Sequence, residues 1–167
     1  PDVIKKYVGV HYLTSEQYNV LNSSENMIFI NGPAGAGKSV ILCGQIIRLI
    51  QSDQNNKVVL IRFTGRGNNS QLYQRALNKA HIEYQEIEVY KHTVSEIVDL
   101  IEQSECNVSI VRMSYVGVDK LIDILSAVDN CNICIDDIQM LLYNSIPPAH
   151  RFSVLINKLL EISLQYT

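Results

Sequence analysis

Met27-Ile28-Phe29-Ile30-Asn31-Gly32-Pro33-Ala34-Gly35-Ala36-Gly37-Lys38-Ser39 is the stretch from which the rest of the chain is read. Met27 to Ile30 is an apolar run too brief for a helix, and it predicts a short buried strand. Gly32 to Ser39 satisfies the phosphate-loop pattern G-x-x-x-x-G-K-[ST]. Val40 to Ile50 then reads as an apolar helix. Strand, glycine loop and helix follow in the order that a phosphate cradle requires. A triphosphate needs several converging backbone N–H groups, and glycines let the chain curl without Cβ clashes. The new helix adds its own unpaired N–H groups and the positive end of its dipole. Gly32, Pro33, Ala34, Gly35, Ala36, Gly37, Lys38, Ser39 and Val40 are therefore the expected nucleotide contacts. Lys38 is expected to reach the β- and γ-phosphates as a catalytic cation, and the Ser39 hydroxyl to ligate Mg²⁺.

Composition sets the outer bounds. At 167 residues, with 47% hydrophobic and 19% charged residues, the chain has the size and make-up of one globular domain with a real core. The net charge of −3 provides no global basic field to draw it to nucleic acid or to an anionic membrane. No apolar run reaches transmembrane length and the first residues hold no signal-peptide core, so an intracellular protein of the cytoplasm or nucleus is expected. The chain starts at Pro1 rather than Met, which reads as a piece of something longer. Of four cysteines, Cys131 and Cys134 form a C-x-x-C pair without a second Cys/His pair at zinc spacing, and they read as reduced structural thiols. His11, His81, His92 and His150 are scattered without metal spacing and read as surface or capping residues.

Along the chain, Val3–Tyr12 is a weak lead-in. Thr14 or Ser15 can cap a helix through Leu21. Lys57–Phe63 reads as a second buried strand, closed by the loop Thr64–Ser70. Gln71–Ala80 is expected to be helical, with Leu72, Ala76, Leu77 and Ala80 on one side. Ile82–Tyr90 reads as a strand, suited to an edge. A helix capped by Thr93 or Ser95, a strand at Asn107–Arg112 and a helix at Val118–Val128 come next. Asn132–Ile138 is the last expected strand, Pro147-Pro148 a break, and Phe152–Leu164 the last helix. Strands alternating with helices predict a single α/β domain over residues 1–167, a mostly parallel sheet sandwiched by helices.

A nucleoside triphosphatase also needs an acidic anchor for Mg²⁺ at the end of a buried strand. Asn132-Ile133-Cys134-Ile135-Asp136-Asp137 supplies it at the carboxyl edge, where open α/β sheets bind ligands. Asp136 is the expected metal partner, and Asp137 is placed to orient or deprotonate the attacking water.

The order of these segments resembles the first RecA-like domain of superfamily 1 helicases, especially the UvrD/Rep-like group, over nearly the whole chain. Leu13-Thr14-Ser15-Glu16-Gln17 looks like their Q motif, whose glutamine reads adenine; the resemblance gives that role to Gln17. Gly32–Ser39 matches motif I, and Asp136-Asp137-Ile138-Gln139 resembles motif II, usually D-E-x-Q. Arg62-Phe63-Thr64-Gly65-Arg66-Gly67-Asn68 looks like motif Ia, typically F-T-N-K-A-A, and implies single-strand backbone contacts at Thr64 and Arg66. Val111–Tyr115 falls where motif Ib would, and Tyr115 is a candidate base-stacking residue. Two departures qualify the match. Asp137 is one methylene shorter than glutamate, which implies slow hydrolysis, since a misplacement of about 1 Å can cost about a hundredfold. The chain ends before any motif III strand, so a second RecA-like domain with its arginine finger is an expected partner.

The resemblance thus implies an ATP-binding motor domain of a helicase or translocase that hydrolyses ATP, with Mg²⁺, to ADP and phosphate and tracks single-stranded DNA or RNA. A nucleotide-dependent regulatory switch without nucleic-acid contact is the alternative, favoured by the net acidity and by Asp137. A small-molecule kinase fits less well, because no basic lid segment is evident.

Overall fold

A computed structural model describes residues 3–9, 14–21, 37–63, 70–114, 118–136 and 148–165. The expected strand at residues 27–30, loop residues 32–36, Thr64, Arg66, Tyr115 and Asp137 lie outside the described residues.

Among the described residues four strands form one parallel sheet in the order β2-β3-β1-β4: β1 is Val58–Phe63, β2 Tyr84–Glu88, β3 Val108–Met113 and β4 Asn132–Asp136. β1 and β3 have near-continuous burial, because a parallel sheet is covered on both faces and its strands need apolar residues at successive positions. β2, with its alternating and more polar sequence, lies at the edge as expected. It is shorter than the predicted strand: Val89–Lys91 turns off into a 3-10 helix.

Pairing register assigns the two faces. Val58, Leu60, Val108 and Ile110 pack with α2 (Lys38–Ser52) and α3 (Ser70–Lys79). Val59, Ile61, Phe63, Val111 and Met113 pack with α4 (Val94–Gln103), α5 (Val118–Ala127) and α6 (Pro148–Gln165). The β1-to-β2 connection through α3 runs on one face and the two returning connections, through α4 and α5, on the other. This is the arrangement that uniformly handed crossovers produce when the strand order doubles back.

α2 holds to the sheet through Cys43, Ile46, Ile47 and Ile50, an i, i+3, i+4, i+7 stripe. Each isoleucine buried there stabilises by roughly 1.5–3 kcal/mol relative to exposure. In α3 the buried side is Tyr73, Ala76 and Leu77, while Leu72 and Ala80 are only half-buried. Ala76 and Leu77 of the expected stripe are thus buried, Ala80 packs against the same cluster, and Tyr73 takes the buried place expected of Leu72. α3 ends at His81, which adopts φ 57°, while Ile82 N–H bonds the Leu77 carbonyl at 2.9 Å. That is the left-handed turn that closes many helices. Thr93 caps α4: its hydroxyl accepts from Glu96 N–H at 3.2 Å.

Two further expectations are corrected. Pro148 opens α6 rather than breaking the chain, because proline fits the first turn of a helix, where its missing N–H has no intrahelical partner. The lead-in contains a π-helical turn at Ile4–Val8 packed on α2, with Gln51 Nε2 donating to the Tyr7 hydroxyl at 3.0 Å. The expected strand Asn132–Ile138 is seen as β4 up to Asp136, and its residues 137–138 lie outside the described residues. No helix among the described residues is long and apolar enough to cross a membrane.

Candidate functional site

Ser39 and Asp136 are 97 positions apart in sequence, yet the fold brings them into contact. Ser39 lies in the first turn of α2, and Asp136 closes β4 at the carboxyl edge of the sheet. Ser39 Oγ donates toward both carboxylate oxygens of Asp136, at 3.2 Å to Oδ1 and 3.0 Å to Oδ2. Asp136 is 6% exposed, so its charge depends on local donors.

A second donor arrives from α3. The Tyr73 hydroxyl donates to Asp136 Oδ2 at 2.7 Å, the short distance typical of an O–H on an ionised acceptor. Tyr73 is fully buried, and the Arg62 guanidinium carbon stands 5.0 Å from the centre of its ring. Burial first, and then the Asp136 charge, hold the Tyr73 phenol well above its ordinary range, so it remains a protonated donor. Cys43, one helical turn beyond Ser39, is pushed up to about 12 by burial and by the same carboxylate.

The sheet register extends this site into a row. Asp136 on β4 pairs with Arg62 on β1, Arg62 with Arg112 on β3, and Arg112 with Glu88 on β2. All four lie on the face that carries α2 and α3. Arg112 faces Glu88 at 3.7 Å, and Lys91 joins Glu88 at 3.0 Å. Acid, base, base and acid therefore span the sheet near its carboxyl ends.

Gly37 forms the entry to α2. It is the N-cap residue at φ 82°, ψ 21°, and its carbonyl accepts the first helical bond from Ile41 N–H at 3.1 Å. This left-handed conformation suits glycine, and a Cβ on Gly37 would come within 2.9 Å of Gln17 Nε2, so the carboxamide would have to shift. Gln17 is held there by α1 (Ser15–Leu21). Thr14 N–H donates to Gln17 Oε1 at 2.9 Å, and Gln17 N–H donates to Thr14 Oγ1 at 3.2 Å. This reciprocal pair is a capping box, and it makes Thr14 rather than Ser15 the cap.

Of the residues expected to act, the fold therefore gathers Gln17, Gly37, Lys38, Ser39 and Asp136 around the amino end of α2, with Val40 in the same turn. Tyr73 was missed. A tyrosine at helical spacing reads as packing, and only its place amid Ala76 and Leu77 hints that a buried hydroxyl needs a partner. The C-x-x-C pair separates onto opposite faces: Cys131 packs with the α4–α6 cluster and Cys134 with the α2–α3 cluster. All four cysteines are free thiols.

Among the described residues no three His, Cys, Asp or Glu side chains converge on a metal site. Magnesium does not require such a cage. It takes one or two carboxylates and completes its shell with water and substrate phosphates. One hydroxyl and one carboxylate at a helix amino terminus fit that demand. Comparison with protein-family models, curated proteins and solved structures gives no match.

Proposed function

We propose that the chain binds a nucleoside triphosphate with Mg²⁺ at the amino end of α2, as a phosphate-loop NTPase domain with a RecA-like fold. The contact between Ser39 and Asp136 carries this reading, because a glycine loop followed by Lys-Ser explains one half of it and a half-buried strand ending in a buried aspartate explains the other. Ser39 and Asp136 would hold the ion, which supplies charge neutralisation of the phosphates when bound. The first N–H groups of α2 and the Lys38 ammonium would bind the phosphate oxygens. Gln17, pinned beside Gly37, would lie next to the base and favour adenine. Asp137 would orient the water, with hydrolysis slow for want of a methylene. On the resemblance above, the domain is the ATP-binding half of a superfamily 1-like helicase or translocase that needs a second RecA-like domain. The acidic net charge favours the alternative of a nucleotide-gated switch.

Calorimetric titration with Mg-ATP and Mg-GTP tests the proposal, alongside Lys38→Ala and Gln17→Ala. ATP is expected to bind more tightly than GTP, Lys38→Ala to abolish binding, and Gln17→Ala to erase the base preference. Absence of binding by either nucleotide would sink the reading. Binding of single-stranded DNA or RNA that weakens steeply with salt would favour the motor, and its absence the switch.

A further inference from the structure

We propose that Tyr73 is a positioning residue for the divalent cation: its hydroxyl, carried on a ring that packs under the Arg62 guanidinium, fixes the Asp136 carboxylate in the orientation that it shares with Ser39. The inference rests on the nucleotide reading above.

The geometry assigns each part. A carboxylate at the end of a strand has rotational freedom about its own Cβ–Cγ bond, and Ser39 alone, near-equidistant from Oδ1 and Oδ2, does not fix which oxygen faces the ion. The Tyr73 bond at 2.7 Å reaches Oδ2 only. It therefore occupies one lone pair of Oδ2 and leaves Oδ1 as the better-placed metal ligand. Tyr73 itself cannot swing away: Ala76 and Leu77 on the same helix are buried with it, and the Arg62 guanidinium lies 5.0 Å from its ring centre. Arg62 is register-paired with Asp136, so the same strand pairing that locates the acid also locates the cation over the ring. Partners of this kind, one bond removed from a metal, typically cost 10–100-fold in metal affinity when removed.

The test is Tyr73→Phe, which keeps the ring and deletes the hydroxyl. ATP affinity is measured across a Mg²⁺ titration and separately in EDTA, with a urea melt alongside. The magnesium concentration for half-maximal enhancement of ATP binding is expected to rise about tenfold. Affinity in EDTA is expected to stay at the wild-type value, because no phosphate contact changes. A purely structural role would instead lower the urea midpoint and leave the magnesium midpoint unmoved, and that result overturns the proposal. Should Tyr73→Phe fail to fold, Arg62→Lys decides. It keeps the charge but loses the planar cation over the ring, and a magnesium midpoint equal to wild type would overturn the assignment. If the wild-type chain binds ATP equally with Mg²⁺ and with EDTA, the nucleotide–magnesium reading falls and this inference with it. If only the variants match wild type, the inference falls alone.

Discussion

Replacing Gly37 by alanine probes the turn on which α2 starts, and the cost can be worked from two separate terms. The first is conformational. An L-residue held at φ 82° is in the left-handed region, at a cost of about 1 kcal/mol or more relative to glycine. The second is steric. The new Cβ would sit 2.9 Å from Gln17 Nε2, well inside van der Waals contact, so the carboxamide must retreat. Gln17 is not free to do so at no cost, because its Oε1 accepts the Thr14 N–H at 2.9 Å, and losing that bond costs about 1 kcal/mol. Gly37→Ala should therefore destabilise by roughly 2–3 kcal/mol, a fall in Tm of about 5–10 °C for a chain of this size. A double-mutant cycle with Gln17→Ala, followed by urea denaturation, separates the terms. In the Gln17→Ala background the conformational part should persist and the steric part vanish, giving a coupling of about 1 kcal/mol. Equal costs in both backgrounds would refute the contact between Gln17 and Gly37. A cost below about 0.5 kcal/mol in wild type would refute the left-handed turn as well.

Two other perturbations follow from the same structure. Cys43 and Cys134, both pushed up to about 12 by burial, should resist a thiol reagent at pH 8 in the native chain and react only on unfolding; rapid labelling of all four cysteines without urea would contradict this. The Glu96 carboxyl is held below its ordinary value, first by the His92 hydrogen bond and then by Thr93. A depressed folded pKa gives stability that is present above the unfolded value of about 4.3 and is lost as pH falls through the folded one. The urea midpoint of wild type should therefore decline with acid below about pH 5, and Glu96→Gln should decline less steeply; parallel curves would count against it.

Periodicity made most of the fold legible. Val58–Phe63 and Val108–Met113 are continuous apolar runs of strand length, and α4 carries its Thr93 cap in plain sight. The strand order was not legible, because pairing depends on which helices cover which face, and each strand alone fits several neighbours. Tyr73 illustrates what local reasoning misses at a site. Its environment is made by Arg62 from β1 and Asp136 from β4, and the two become neighbours only once the register is set. On α3, where Ala76 and Leu77 are buried as expected, Tyr73 takes the place expected of Leu72 for a related reason. Leu72 is the more hydrophobic residue, but Tyr73 is the one that can both fill the core and satisfy a buried acid.

The polar set around Asp136 is itself an argument about function. A carboxylate that is 6% exposed is costly to bury, and it is offset here by two hydroxyl donors, at 3.0 and 2.7 Å, with an arginine at the next register position. For stability alone this arrangement gives little advantage, since buried ionic groups can often be exchanged for apolar ones at no loss, whereas removal of one partner is severe. The surrounding residues would accept such an exchange, for Cys43, Leu60, Ile110 and Leu77 already form an apolar cluster on this face. On the proposed function, an anchored acid beside a helix amino terminus has a different use. It presents negative charge to a cation while the helix end presents positive charge to an anion. A metal-bound polyphosphate carries both signs side by side, which a lone phosphate or a lone cation does not. The opposed charges at the start of α2 and the end of β4 therefore match a cation–anion pair better than either partner alone.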